Sequence, residues 1–331
     1  MTEFIIIMLV KMIVIFGAVM GTMTYITLAE RKILGYMQIR PGPNRVGPWG
    51  LLQPIADGIK LFLKEDIIPD HASKAVFVIA PAMALIPAVM TIAVVPFGPE
   101  MTVFGRKVTA YMADVNIGLL YIFSVSSMGV YGIVLAGWAS ESKYSLLGGL
   151  RSSAQMISYE LSMGFAVVGV LMMSQSLSMV KIIEAQKGVW FIIPQFFGFV
   201  IYIIAAIAEL NRTPFDLPEG ESELVSGYFT EYSSMKYAMF MLAEYINIIT
   251  VSGIVTTLYL GGWHSFFIPL PPLVWFMIKL LAVVFFMIWV RATYPRFRYD
   301  QLMTFGWKVL LPASILNILF TPLFMKIFGY L

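Results

Sequence analysis

Eight long apolar segments recur along the sequence, and they constrain the fold more than any other feature. Each is close to the roughly 20 apolar residues that an α-helix needs to cross the hydrocarbon core of a bilayer. The chain is 59% hydrophobic and 12% charged, whereas a soluble domain carries roughly 25% charged residues. The sequence therefore predicts an all-α polytopic membrane protein, folded as a single integral membrane domain over residues 1–331. Its eight transmembrane helices are predicted at about 4–29, 75–97, 115–138, 154–179, 189–208, 237–261, 268–290 and 305–328.

Lysine and arginine are distributed unevenly between the two sets of connecting loops. Fifteen of the 22 fall in one set, five fall in the other, and two lie inside predicted spans. Loops that face the cytoplasm carry an excess of these residues. We therefore expect the richer set on the cytoplasmic or mitochondrial matrix side, with both termini on the periplasmic or intermembrane side.

The residue inventory excludes several kinds of site. The chain has no cysteine and two histidines, so disulfides and cysteine-ligated iron–sulfur clusters are excluded. His71 and His264 are predicted on opposite sides of the membrane, which excludes a bis-histidine haem. The net charge of +3 is too small to suggest a nucleic-acid partner. By these routes the chain is expected to hold no metal or redox cofactor.

One acidic stretch interrupts the apolar pattern and contains seven of the 19 carboxylates in the chain. An ionised carboxylate inside a membrane costs roughly 2.5–3.5 kcal/mol at a helix centre, and such residues are functional candidates. The alternative is a solvated loop whose charges only favour solubility, and this reading fits Glu231 best. The seven carboxylates are Glu209, Asp216, Glu219, Glu221, Glu223, Glu231 and Glu244.

The middle of this stretch predicts a short helix that begins at Pro218, because proline is favoured at the first helical position. Glutamates in the first turn complement the positive end of a helix, which is a purely structural reason for Glu219 and Glu221. Carboxylates packed so closely in a poorly solvated place share protons and titrate as a group. Proton relay is the chemistry that they suit.

The first loop, residues 30–70, contains a stiff turn and a second predicted helix. Prolines around a glycine forbid regular helix near residues 40–48. Beyond them Gln53, Asp57, Lys60 and Lys64 recur at helical spacing on one side, which predicts an amphipathic surface helix that Pro54 shortens or kinks. This helix is either an interfacial anchor or a wall of a site.

Two further polar segments border the spans. Gln155 and Tyr159 share a face at the start of the fourth span, with Glu160 beside it. Glu160 lies too far along the helix from Arg151 for a direct pair, roughly 13 Å of rise, so a role for it in a cavity is favoured. The last loop on the same side carries three arginines among aromatic residues, which suit an anionic lipid surface or a polar ligand headgroup equally.

Several segments resemble a family of membrane subunits. The family comprises the respiratory complex I component that is called the H subunit in bacteria and NADH dehydrogenase subunit 1 in mitochondria. The resemblance extends over essentially the whole chain, and together its motifs are specific. The matching segments are Ala29–Asn44, Gly50–Asp57, Gly137–Ser140, Ile157–Glu160, Ala208–Asp216, Glu219–Glu223 and Tyr294–Asp300.

The resemblance implies a membrane subunit of a proton-translocating NADH:quinone oxidoreductase. Such a subunit walls a chamber for the quinone substrate and passes the effect of its reduction to pumping subunits through a path of carboxylates. By motif position the quinone-binding residues are Arg31, Arg40, Asp57, Arg296 and Arg298. The acidic path is Glu30, Glu160, Glu209, Asp216, Glu219, Glu221, Glu223, Glu231 and Glu244.

The resemblance also implies partners and a location. FMN and the iron–sulfur clusters are expected in partner subunits. The expected partners are the iron–sulfur subunit at the quinone site, a 49-kDa-type subunit, small membrane subunits, antiporter-like subunits, the quinone and membrane lipids. The location is a bacterial inner membrane or the mitochondrial inner membrane.

The residues leave two alternatives open. The chain could anchor a related membrane-bound hydrogenase that handles no quinone. It could also be an independent ion-coupled transporter, although it lacks detectable inverted repeats and paired Gly/Pro-broken spans.

Overall fold

The structure is a computed structural model that describes residues 2–103, 106–217, 220–265 and 270–328. Helices dominate these residues, and one small antiparallel hairpin accompanies them. A π-helical turn at Gly306–Leu310 continues α11 into α12. The helices are α1 Thr2–Met37, α2 Gln53–Leu63, α3 Lys74–Ile92, α4 Gly118–Ala139, α5 Lys143–Ser174, α6 Met179–Ala185, α7 Phe196–Glu209, α8 Glu221–Leu224, α9 Ser234–Leu258, α10 Pro272–Thr293, α11 Tyr299–Phe305 and α12 Leu311–Phe328.

Among the described residues, seven helices are long and apolar enough to cross a membrane. They are α1, α3, α4, α5, α9, α10 and the continuous α11–α12. The fifth predicted span, residues 189–208, instead contains α7, which has 14 residues and is therefore about 21 Å long. Before it, the amides of Phe191 and Ile192 bond to the Gln186 side chain and to the carbonyl of Tyr259 rather than to a helix.

Two helices extend well beyond the predicted spans. α1 continues to Met37, so Glu30, Arg31 and Lys32 belong to a helix rather than opening the first loop. α5 begins at Lys143, eleven residues before the predicted start. In α1, Glu30, Arg31 and Lys32 each find a partner in the surrounding protein, and in α5 Arg151 pairs with Glu223.

The bundle is organised around α5, which packs against α4 and α7, while α3 packs against α4 and α9. Close approach of α4 and α5 depends on small residues, as is common between membrane helices. A Cβ atom added at Gly137 would collide with the backbone of Ser145 and approach Gly149. The two helices therefore cross almost in backbone contact.

The loops predicted to be cytoplasmic meet at one end of the bundle. The amide of Ser73 bonds to the carbonyl of Ala139 at 3.1 Å, and the amide of Phe297 bonds to Pro214 at 3.0 Å. At the other end, strands β1 (Glu100–Val103) and β2 (Arg106–Thr109) pair antiparallel. The loops that carry Asp216 and Glu223 therefore lie at the first end, beside the last loop.

The helix predicted in the first loop is α2. It begins at Gln53, so Pro54 lies in the first turn, where proline is tolerated and does not kink the helix. Its apolar side chains Ile55, Ile59 and Phe62 are exposed on the surface of this chain.

Candidate functional site

The end of α7 turns the chain toward the centre of the site. α7 ends at Glu209, and Asn211 follows with a φ of 52°. Asparagine tolerates this left-handed conformation better than most residues other than glycine. The turn leads directly into Arg212, whose side chain is 11% exposed.

Arg212 joins two carboxylates from distant parts of the sequence. Its Nη1 donates to Oε1 of Glu30 at 2.5 Å, and its Nε forms an ion pair with Oε1 of Glu244. Arg291, near the end of α10, pairs with the same oxygen of Glu30. We call these four residues the carboxylate–arginine cluster.

The cluster is buried and balanced in charge. Glu30 is 3% exposed, and an unpaired ion at that depth would cost several kcal/mol. Burial lowers the pKa of Arg212, but the carboxylates of Glu244 and Glu30 raise it by more, so its net shift is upward. The ring of Tyr245 lies 4.7 Å from the guanidinium carbon and adds a cation–π contact. Arg212 is therefore a fixed positive charge between two carboxylates.

A cavity with both polar and apolar side chains in its wall adjoins the cluster. Its volume is about 80 Å³, and a buried water needs roughly 10–15 Å³ of such space, so several waters fit. Among the described residues, Oε2 of Glu209 and Oδ1 of Asn211 are buried without a hydrogen-bond partner in the protein. The polar residues at its wall include Tyr202, Glu209, Asn211, Glu244, Asn247 and Thr250.

Glu160 extends this arrangement toward α4. The hydroxyl of Ser127 on α4 donates to Oε1 of Glu160 on α5. The carboxyl groups of Glu160 and Glu209 are close enough to interact electrostatically. The order in space is therefore Glu160, Glu209, the cavity and then the cluster.

The predicted polar face of α5 anchors the turn after α7. Nε2 of Gln155 donates to the carbonyls of Ala208 and Phe215, both at 2.7 Å. The hydroxyl of Tyr159 donates to the carbonyl of Leu302 at 2.9 Å. Gln155 therefore holds both ends of the segment that carries Glu209 and Arg212.

The remaining predicted acidic residues lie nearer the surface. Glu223 pairs with Arg151 at 2.7 Å and with Arg296 at 3.5 Å, and its side chain is 44% exposed. Asp216 lies close enough to Glu244 to act on its charge. Glu231 is partly exposed in the loop before α9.

The predicted helix from Pro218 is observed only as α8, which begins at Glu221. Pro218 and Glu219 lie outside the described residues, and the side chain of Glu221 is not described.

The five predicted quinone-binding residues fall into separate local contacts. Arg31 pairs with Asp57 at 2.5 Å, which ties α1 to α2. Nε of Arg40 donates to Gln38 on the exposed turn after α1. Arg298 pairs with Asp300 at 2.6 Å, and both are exposed. Arg296 joins Glu223 instead, so within the described part of the chain no contact gathers all five.

Sequence reasoning missed the arginines of the cluster. Arg212 entered as a loop charge that sets the orientation, and Arg291 entered also as one of the three arginines of the last loop that suit a lipid surface or a ligand headgroup. A usable signal existed, because a buried carboxylate needs a partner and Arg212 follows Glu209 by three residues. Tyr202, Asn211 and Asn247 carried no comparable signal, since a single polar residue in an apolar run does not reveal which cavity it faces.

Comparison with known proteins gives a consistent result along nearly the whole chain. The family model described as NADH dehydrogenase matches residues 10–322. The NADH-quinone oxidoreductase H subunit numbered 2 of Geobacter metallireducens is 55% identical, with 97% of this chain and 96% of that protein covered. The H subunit numbered 1 of Geobacter sulfurreducens is 54% identical, covering 97% and 95%. The H subunit of Rhodospirillum rubrum is 51% identical, covering 98% and 96%.

Proposed function

Because this chain belongs to the NADH dehydrogenase family, we propose that it walls the quinone chamber of a proton-translocating NADH:quinone oxidoreductase. In this proposal it couples quinone reduction to proton transfer through its carboxylates. The chain is part of an oxidoreductase complex, as are its relatives named for the H subunit of NADH-quinone oxidoreductase. The complete reaction needs partner subunits that hold FMN and iron–sulfur clusters, because this chain has no cysteine to ligate a cluster.

The observation that carries the proposal is the spatial order of the buried acids. Glu209 lies at the wall of the cavity and interacts with Glu160, and Glu244 also lies at this wall and belongs to the cluster. Waters in a cavity of this size can pass protons between carboxyl groups. Arg212 then links Glu244 to Glu30 by charge rather than by a shared proton. A proton that binds to one of these carboxylates therefore changes the electrostatic potential at all the others.

The quinone side of the proposal uses the first and last loops. Arg31 and Asp57 fix α2 beside α1, and Arg40, Arg296 and Arg298 supply further positive charge around the chamber entrance. Electrons reach the quinone from a cluster in a partner subunit. Reduction then changes the local charge, and the carboxylates respond by taking up or releasing protons. The resulting change in charge acts on the antiporter-like partner subunits.

The proposal also includes the membrane arrangement. We propose that the predicted span 189–208, which contains the turn segment and nearly all of α7, forms an eighth crossing, which keeps both termini on one side. The exposed apolar side chains of α2 support a helix that lies along the membrane surface. The arginine-rich loops are on the cytoplasmic or matrix side, with the termini on the periplasmic or intermembrane side. The location is a bacterial inner membrane or the mitochondrial inner membrane.

Photo-crosslinking with an azido-quinone tests the function directly. Membranes that contain the assembled complex are illuminated with the probe, and labelled peptides of this chain are mapped. We expect label in residues 30–70 or around Arg296, removed by competition with unlabelled quinone. If unlabelled quinone prevents labelling but the label is found only on neighbouring subunits, this chain does not wall the quinone chamber.

A further inference from the structure

The serine at the start of α9 is used in an unusual way. Ser233 occupies the N-cap position, where a serine side chain normally accepts a hydrogen bond from the amides of the first turn. Within α9, which the structure describes in full, its hydroxyl makes no such bond. It instead accepts from the amide of Ile67 at 3.0 Å and donates to the carbonyl of Glu65 at 3.2 Å. The side chain at the cap position of α9 therefore bonds to the first loop, 166 and 168 positions away in sequence, instead of capping its own helix.

Two neighbouring side chains act on the same segment. The hydroxyl of Ser234 donates to the carbonyl of Leu61 at 3.0 Å, one of the last carbonyls of α2, which lack partners within their own helix. Lys236 pairs with Asp66 at 2.7 Å, and its own side chain is 12% exposed. We call Ser233, Ser234 and Lys236 the α9 clamp.

The opposite end of α2 is attached to a different helix. Asp57 pairs with Arg31 of α1, and Lys32 of α1 donates to the carbonyl of Trp49, just before α2. α1 carries Glu30 and α9 carries Glu244, the two carboxylates that share Arg212. α2 therefore connects, outside the bundle, the same two helices that the cluster connects inside it.

We propose that the α9 clamp consists of positioning residues, which hold α2 against α9 so that the first loop and the carboxylate–arginine cluster keep a fixed relation. This inference rests on the proposed function, because the proposed function places α2 at the quinone chamber. The clamp residues do not touch the quinone. Their effect reaches it through Asp57 and Arg31, whose geometry depends on where α2 lies.

The test compares variants in the purified, assembled complex. Ser233→Ala removes both hydrogen bonds to the first loop, and Ser233→Thr keeps the hydroxyl. Thr293→Ala is the matched control, because that hydroxyl is exposed and bonds only four residues back, to Trp289 of its own helix. Asp66→Ala is a second variant that breaks the ion pair at an exposed residue, should Ser233→Ala fail to assemble.

Two readouts separate a positioning role from a helix cap. Hydrogen–deuterium exchange is followed in peptides 53–67 and 234–244. The KM and kcat for a short-chain quinone are measured together with NADH:ferricyanide activity.

For Ser233→Ala we expect faster exchange in 53–67 with little change in 234–244. The KM should rise roughly 3- to 10-fold, the factor that corresponds to a lost hydrogen bond, with a smaller change in kcat. Asp66→Ala should move both readouts in the same direction, and Ser233→Thr and Thr293→Ala should match the unmodified complex.

Faster exchange in 234–244 alone would make Ser233 an ordinary helix cap and overturn the proposal. Faster exchange in 53–67 without a change in KM would reduce the clamp to a structural contact and also overturn it. If the proposed function is wrong, the result differs. The azido-quinone then labels only other subunits, in a way that unlabelled quinone prevents, while the clamp variants still speed exchange in residues 53–67.

Discussion

Glu30 of α1 and Glu244 of α9 form ion pairs with the same guanidinium group, that of Arg212. Glu30 also accepts a hydrogen bond from Nη1, whereas Glu244 forms only an ion pair with Nε, so the two carboxylates compete for one positive charge. Arg291 supplies a second positive charge to Glu30 alone. A change in the protonation of either carboxylate therefore redistributes the attraction felt by the other.

Replacing Arg212 with methionine should destabilise the protein strongly. The substitution preserves bulk but leaves Glu244 without its ion-pair partner and Glu30 with Arg291 alone. Breaking a buried pair by removing one partner costs about 3–5 kcal/mol. The thermal midpoint of the complex, or its yield on a native gel, should fall clearly. Lys143→Met, at an exposed position of the same end, should leave both unchanged.

The double variant Arg212→Met with Glu244→Gln provides the sharper comparison. It removes the carboxylate that the single variant leaves unpaired, so we expect it to be more stable than Arg212→Met alone. Residues in one ion-pair network show such non-additive effects. Additive losses in the double variant would mean that the two residues do not act as a pair.

Glu160→Gln and Glu209→Gln should impair the coupled reaction while sparing electron input. Glu209 lines the cavity and Glu160 interacts with it, so each substitution removes a titratable group of the proposed path and changes the volume little. Proton-coupled quinone reductase activity should fall several-fold, as expected for loss of a proton-transfer group, which contributes roughly 10²–10⁴-fold when transfer is fully limiting. NADH:ferricyanide activity should be unchanged. Glu184→Gln, an exposed residue at the other end of the bundle, is the control.

A normal coupled activity in assembled Glu160→Gln complex would exclude Glu160 from the acidic path. The same result for Glu209→Gln would leave the cavity without its central carboxylate and would contradict the proposed order of transfer.

Gln155→Leu should damage the site without touching a charge. It removes the side-chain donor that the carbonyls of Ala208 and Phe215 share, while each carbonyl keeps a backbone amide donor. The expected cost is about 0.5–1.5 kcal/mol for each hydrogen bond lost. Gln186→Leu is the comparison, because Gln186 is equally buried and donates to two carbonyls at the opposite end. It also accepts from the amides of Phe191 and Gly261, so its loss of stability should be at least as large. Both variants should lower the thermal midpoint, and Gln155→Leu should also lower coupled activity. Equal activity losses would mean that only stability matters.

The stability of the complex should depend on pH through His264. Burial lowers the pKa of this histidine, and the nearby Lys187 and Lys279 lower it further, against the opposing effect of its bond to the carbonyl of Ile183. The unfolded chain then takes up a proton at a higher pH than the folded chain does. The contribution is complete above about pH 6.5 and is lost as the pH falls through the folded pKa.

The measurement is the thermal midpoint between about pH 7.5 and 5.5, an interval that brackets the ordinary histidine pKa. His264→Gln keeps a donor for Ile183 but cannot titrate, so its midpoint should fall less over that interval. An identical slope in both proteins would show that His264 contributes nothing to the acid sensitivity.

The membrane class and most spans were predictable because apolar length reports directly on bilayer crossing. α9 and α10 lie within a few residues of their predicted spans. The start of α7 was not predicted correctly, because hydropathy does not reveal that Phe191 and Ile192 give their amides to Gln186 and Tyr259. Tertiary bonds of this kind compete with the helix and leave no trace in the local sequence.

The site was predictable in part, and for a reason that can be stated. An acid in an apolar run stands out by its cost, so Glu209 and Glu244 were recognised. The partner that makes the cost acceptable does not stand out, because Arg212 resembles any loop arginine until its position is known. The α9 clamp could not be predicted either, because by sequence Ser233 is a typical N-cap residue and nothing indicates that it bonds to the first loop.

The bond between Glu30 and Arg291 joins residues 261 positions apart, and this separation has a consequence for biogenesis. At roughly 5–20 residues per second, about 13–52 s pass between the synthesis of the two. During that interval the carboxylate of Glu30 has no guanidinium from α10, and Arg212 also arrives late. We therefore expect newly inserted α1 to keep Glu30 at the water surface and to move inward only after Arg212 and α10 have been made. In chains truncated before α10, a cysteine that replaces Ile26, one turn before Glu30 and buried in the folded protein, should react with water-soluble maleimides.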